Sequence, residues 1–302
     1  MTTLHIALLP DRGAVRLTGA DARKLLQGLI TNDMDKLAQA GDALHSGLLT
    51  PQGKILFAFF VVQTTDGFLL ETERDQAAAL AKRLTFYKLR AAVKIEDVSQ
   101  QYAVAAVWSG SPSPLLREGR EGGGEPREAL VYPDPRHPSL GQRIIAPAEC
   151  LPPSTATPAA YHAHRISLGV PDAGSDYPLG DTYPHEAGFD LFHGADFDKG
   201  CFVGQEVVAR MQHKTVVRKR VVRVASTVDL PSDQCDVTMA GVTIGRLGSG
   251  AGQQGLALIR LDRAVAAIDK GEPITAGGAT LALDTETIAA YRAAVAAKVT
   301  AP

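Results

Sequence analysis

The run Lys199-Gly200-Cys201-Phe202-Val203-Gly204-Gln205-Glu206-Val207-Val208-Ala209-Arg210 sets a thiol between two glycines, just ahead of helix-forming residues. Glycines permit tight backbone turns there. A helix beginning near Gly204 puts Cys201 at its positive end, with Lys199 beside it and Arg210 within folded reach, and such fields favour the thiolate. The spacing predicts a reactive or metal-contacting cysteine. The plainer alternative is a small buried residue filling a gap, the commoner fate of a lone cysteine.

The other thiols, Cys150 and Cys235, form no C-x-x-C pair with it, and three is an odd total. That argues against a disulfide framework or a structural zinc site, and fits a reducing compartment. Of the eight histidines, His162 and His164 lack the i, i+4 spacing of a helical metal pair. His185, His193 and Cys201 converge only if the fold arranges it. No permanent metal is expected.

Positioning such a site requires a scaffold, and the apolar pattern supplies one. Strands are predicted over Ala14-Leu17, Leu44-Leu49, Ile55-Val62, Phe68-Glu71, Ala92-Ile95 and Ala103-Trp108, with helices over Asp21-Leu29, Asp75-Leu84 and Ala159-Leu168. From Ser109 to Arg127 the chain turns to Ser, Pro, Gly, Arg and Glu and reads as a surface loop or a disordered insertion. Beyond Lys214, short β-type runs at Val216-Val224, Val242-Leu247 and Leu256-Leu261 alternate with Gly-rich turns, which predicts a small barrel. An Ala-rich terminal helix is expected over Glu286-Lys298.

The chain has 302 residues, 45% of them hydrophobic, enough for a large core or several packed lobes. Its formal charge of -2 removes the global positive field of a dedicated nucleic-acid binder. The longest strongly apolar run, Ile55 to Val62, is too short to span a bilayer. No membrane partner and a cytoplasmic location are expected.

The twelve-residue run resembles the K-G-C-[FY]-x-G-Q-E-x-x-x-R signature of the YgfZ family and its mitochondrial relatives in iron-sulfur assembly. Leu17-Asp21, Leu26-Asp33 and Leu49-Lys54 resemble other family segments, so the likeness covers most of residues 15 to 260. It implies an α+β fold of three lobes, like that of the glycine-cleavage aminomethyltransferase, with a central folate channel and a C-terminal β-barrel. In domain terms, a folate-binding region over 1–215 carries a second lobe inserted around 46–155, and 216–302 forms the barrel and terminal helix.

The resemblance also implies a ligand, tetrahydrofolate or another reduced folate. Glu186, in Pro184-His185-Glu186-Ala187-Gly188-Phe189, matches a pterin-anchoring glutamate, a group suited to accepting two adjacent N–H bonds. Tyr161 matches an aromatic lining the folate cavity. Asn32 and Asp33 offer polar contacts, or simply a helix exit turn. Arg210 or another base would suit the tail carboxylates.

Where the aminomethyltransferase strand carries an Asp pair, this chain has Phe57 and Ala58, so the parent proton transfer lacks its carboxylate. The implied function is that of a folate-binding accessory factor for assembly or repair of [4Fe-4S] proteins, including one that thiolates tRNA. Iron-sulfur carriers or client [4Fe-4S] proteins are the expected partners, with transient iron contact through Cys201. Two rivals remain: a folate-dependent one-carbon transferase, and an RNA-binding adaptor using the basic strip over 199–223, where seven Lys or Arg face the single acid Glu206.

Overall fold

Alternation along the strands decides which side chains face inward. The computed structural model describes residues 3–109 and 129–299; the expected insertion falls, apart from Ser109, outside the described residues. They form two compact units. The first comprises Met1–Leu49, Leu56–Tyr161 and Phe192–Val203, and the second Thr50–Ile55, His162–Leu191 and Gly204–Pro302.

The strands of the first unit, in chain order, are β1 (Leu4–Leu8), β2 (Arg12–Thr18), β3 (Ala43–Leu49), β4 (Ile55–Gln63), β5 (Gly67–Glu73), β6 (Lys94–Asp97), β7 (Ala103–Ser109), β8 (Leu130–Pro133) and β9 (Gln142–Ala146). They make a five-stranded sheet of order β3-β4-β5-β2-β6 and a four-stranded sheet of order β1-β7-β9-β8. Helices α1 (Ala22–Leu29) and α2 (Arg74–Lys88) lie over the five-stranded sheet. They bury Leu26 and Leu29, and Leu80 and Leu84, in one core with Phe59, Val61 and Leu70.

The same unit buries an ion network that alternation alone does not foresee. Glu71 accepts from Arg12 Nε at 2.9 Å and from Arg143 Nε at 3.0 Å, and Tyr132 donates to it as well. Asp134 pairs with Arg136 at 2.8 Å, and Phe60 lies 4.9 and 5.0 Å from the Arg136 and Arg143 guanidinium carbons. Burial alone pushes both carboxyls up; Arg143 and Arg12 outweigh it at Glu71, and Arg136 and Arg143 at Asp134, holding both below the usual range.

In the second unit, α3 (Pro158–Ser167) contributes its last turns and α4 (Gln205–Lys214) follows the signature glycine. The barrel strands are β10 (Lys219–Ala225), β11 (Asp236–Met239), β12 (Val242–Ala251), β13 (Gln254–Arg260), β14 (Ile274–Ala276), β15 (Ala279–Thr280) and β16 (Ala282–Leu283), in the order β15-β14-β11-β12-β13-β10-β16. Val222, Val224, Val237, Leu247 and Ile259 fill the interior. Two further helices, α5 (Leu261–Lys270) and α6 (Thr285–Val299), complete it. The run expected as a strand through Leu261 ends at Arg260. Arg260 clamps Asp262 in the first turn of α5 through two bonds of 2.9 and 2.6 Å.

Candidate functional site

Lys199 is built into the structure rather than exposed beside the thiol. Its ammonium donates to the carbonyls of Gln27 at 2.9 Å, Ile30 at 2.8 Å and Asn32 at 2.8 Å, satisfying acceptors around the C-terminal end of α1. Burial lowers its pKa to about 8, against the raising pull of Asp33 and Asp196. Asp196 fixes the loop from the other side, accepting the backbone N–H groups of Asp198 and Lys199 while pairing with Lys36 at 2.7 Å.

Tying down Lys199 leaves the next two residues at the surface. Cys201 is exposed, and with Gly200 it borders a concavity of about 680 Å³ whose wall is Ala20, Arg23, Lys24, Gln27, Gly28 and Asp35. A Cβ added at Gly28 or at Gly200 would meet nothing within 4 Å. Neither glycine has a positive φ, so neither turn geometry nor internal packing demands it. The clearance beside the thiol is therefore open to an approaching molecule.

Asn32 and Asp33 stand at the same place in the fold, bonded to both backbone and side chains. The Asn32 amide donates to the carbonyls of His45 at 2.8 Å and His193 at 2.7 Å, while its oxygen accepts from Asp33 N and Lys36 Nζ. Asp33 Oδ1 accepts from Gln27 Nε2 and Asp35 N, both at 2.9 Å. Both side chains shape the loop that Lys199 caps.

The rest of the signature belongs to the second unit. Gly204 precedes α4 with φ +81°, and a Cβ there would lie 2.6 Å from the Thr50 carbonyl oxygen, because the Gly53 turn packs backbone to backbone against it. Gly204→Ala is expected to cost about 1–3 kcal/mol in urea unfolding. Glu206 and Arg210 form an exposed i, i+4 pair at 2.8 Å. Glu206→Ala should stay within about 0.5 kcal/mol of the wild type in the same assay.

Glu186 also belongs to the second unit and is half-buried. Its Oε2 accepts from Tyr183 N at 3.0 Å. Burial pushes its carboxyl up, opposed by that N–H and by the ammonium of Lys219. Lys54, on the Gly53 turn, pairs with Asp181 and lies 5.7 Å from the Tyr183 ring centroid. Tyr161 lies in the first unit at 2% exposure, its hydroxyl accepting from Arg143 at 2.8 Å and Arg136 at 3.0 Å.

The structure thus brings Asn32, Asp33, Lys199, Gly200 and Cys201 together in one unit, and places Glu186, Gly204, Gln205, Glu206 and Arg210 in the other. Sequence reasoning missed Asp196 and Gln27, whose roles appear only once distant segments meet. Among the described residues, no three His, Cys, Asp or Glu side chains group as a metal-ligand set.

Residues 218–290 match the family model of the CAF17 C-terminal beta-barrel domain. The chain is 35% identical over 240 residues to the mitochondrial iron-sulfur cluster assembly factor IBA57 homolog of Mycosarcoma maydis, covering 73% of this chain and 57% of that protein. It is 33% identical over 276 residues to the mitochondrial IBA57 of Homo sapiens, covering 83% of this chain and 76% of that one. Against the Neurospora crassa homolog it spans 52% of the relative's length.

The crystal structure of the glycine cleavage system aminomethyltransferase T from Bartonella henselae matches with a TM-score of 0.68 at 16% identity, covering 93% of this chain and 85% of that one. The expected α+β, aminomethyltransferase-like fold with a C-terminal barrel is borne out. The expected cytoplasmic location is corrected: these relatives are mitochondrial by name and point to the mitochondrion instead.

Proposed function

The chain belongs to the family of the IBA57 iron-sulfur cluster assembly factors, and on that premise we propose that it is an accessory factor that meets iron-sulfur cargo through Cys201. The observation that carries this reading is the exposed thiol beside a concavity whose two glycines leave room for a close approach. A cluster typically takes four thiolates. Cys201 would supply one ligand, and a carrier or client [4Fe-4S] protein the others. A client that thiolates tRNA would connect the chain to tRNA modification.

Reduced folate is the proposed small ligand, as the fold relationship suggests. The half-buried Glu186 carboxylate, with Oε2 held by Tyr183 N, would present its remaining acceptor capacity to a pterin edge. Asn32, Asp33 and Tyr161 spend polar atoms on partners inside the first unit, so Glu186 carries the proposed folate contact. Gln205 opens α4 and Arg210 stands in its second turn, and neither is needed as a cluster ligand.

The RNA-adaptor reading loses support from the same geometry. Arg220 is clamped by Asp190 through bonds of 2.9 and 2.8 Å, Arg223 pairs with Asp284 at 2.8 Å, and Arg210 with Glu206, so much of the basic strip is neutralised in place. The transferase reading still lacks a carboxylate at Phe57 and Ala58.

The test is complementation of cells lacking their own copy. Cys201→Ala is expected to leave the protein level and thermal unfolding unchanged, while the activity of dependent [4Fe-4S] enzymes falls towards that of the null strain. Full rescue would reduce Cys201 to a surface residue. Titration with tetrahydrofolate checks the second half: Glu186→Ala should weaken binding by about 10–100-fold. Unchanged affinity would remove Glu186 from the site.

A further inference from the structure

The end of α2 carries a feature that the fold does not use. The helix buries its apolar face through Ala77, Leu80 and Leu84, and Tyr87 packs partly against the same core. Phe86 and Leu89 are left outside at 72% and 85% exposure, the two most exposed large apolar side chains among the described residues. Around them stand Lys82, Arg83 and Arg90, all exposed. Among the described residues none of the three forms an ion pair, whereas most other arginines of this unit do. From Gln76 to Ile95 the sequence holds five cations and no acid, in a chain whose net charge is -2.

Backbone geometry sharpens the point. Leu89 caps α2 with φ +46° and ψ -108°, a region that glycine enters freely and a branched side chain does not. Holding leucine there stores strain, and the side chain gains no burial in return. Such an outlier is accounted for if the side chain is buried against something else.

The geometry points to a docking surface at the end of α2, in which Phe86 and Leu89 insert into an apolar pocket on a partner protein while Lys82, Arg83 and Arg90 meet an acidic rim around it. Apolar anchors, one of them aromatic, surrounded by arginine match the anatomy of protein interfaces, where such anchors carry most of the energy and charges around them set specificity. A bilayer is a poorer match. Lying on a membrane requires a continuous apolar helix face, and here that face is already spent on the core.

The surface also continues toward the thiol. Asp21 Oδ2 accepts from Ala92 N at 2.8 Å, which ties the turn after Leu89 to the start of α1, and the wall of the Cys201 concavity begins at the neighbouring Ala20. A partner seated on Phe86 and Leu89 would lie along the same side of this unit. The docking inference nevertheless stands without the cluster reading, because none of its residues touches Cys201.

Photo-crosslinking in the full chain tests it, with benzoylphenylalanine placed at Phe86 and, as a control, at Val228, which is also exposed. The expected result is an adduct, absent at the control, whose partner peptide identified by mass spectrometry is rich in Asp and Glu. The double variant Arg83→Glu/Arg90→Glu should cut its yield by about tenfold or more, and Cys201→Ser should leave it unchanged. Adducts to lipid, to a second copy of this chain or to a segment without acidic excess would overturn the inference, as would a yield matching the control or insensitive to charge reversal. Leu89→Gly supplies an independent check: it should raise the melting temperature by a few degrees while lowering adduct yield at Phe86. A lower melting temperature would show that Leu89 is packing, and the inference fails.

Discussion

Arg143→Met is expected to destabilise the protein by about 3–5 kcal/mol, read as a fall in the midpoint of urea unfolding. Methionine matches the length of the stem but leaves the fully buried Glu71 to Arg12 and Tyr132, and removes a donor to Tyr161. A buried charge stripped of its main partner is costly because water cannot reach it. A loss below about 1 kcal/mol would show that the network relaxes or hydrates on mutation.

The same network fixes the acid limb of stability. Folding lowers the Glu71 and Asp134 values relative to the unfolded chain, so below the ordinary carboxylate range the unfolded state binds more protons. Their stabilising contribution is complete above that range and is lost as pH falls through the lowered folded values. In Arg143→Met, burial of Glu71 is less opposed and the loss should begin at higher pH. Unfolding curves of both proteins across the acid range test this, and coincident pH profiles would contradict it.

Lys199→Met should cost about 2–4 kcal/mol, since it removes three charge-assisted bonds and leaves the carbonyls of Gln27, Ile30 and Asn32 short of a donor. The effect should extend to function, because the displaced loop carries Cys201. Cys201→Ala, by contrast, should leave unfolding untouched. Comparing the two variants in urea separates the residue that holds the loop from the residue the loop presents. Equal stability of Lys199→Met and wild type would mean that water or Lys36 takes over the carbonyls.

How much of this was legible in the sequence varies with distance along the chain. Local signals located α1, α2, α4 and β4 closely, because leucine spacing, a leading glycine and an apolar run act over a few residues. The signature named the loop that exposes Cys201. Lys199 was read as an activator of its neighbour, and its actual acceptors lie 172, 169 and 167 residues away, beyond any local pattern. The ion network was hidden for the same reason: Glu71 stands 59 residues from Arg12 and 72 from Arg143. Helix α5 was masked by the β-type run Leu256-Leu261, where only the Asp262 that follows marks a helical first turn.

The order in which the two units draw on the chain has a consequence for synthesis. Every segment of the first unit has been synthesised once residue 203 is made, so its core can close before the barrel is complete. The second unit contributes Thr50–Ile55 and His162–Leu191 long before Gly204–Pro302 exists to receive them. Those early pieces can pair with each other, as Ile55 N does with the Thr182 carbonyl at 2.8 Å, but Gly53 stays uncovered until Gly204 and Val207 are made. A fragment beginning at Gly204 would emerge without its own foundations, and a stalled chain ending before the barrel would show a folded body trailing unsatisfied loops.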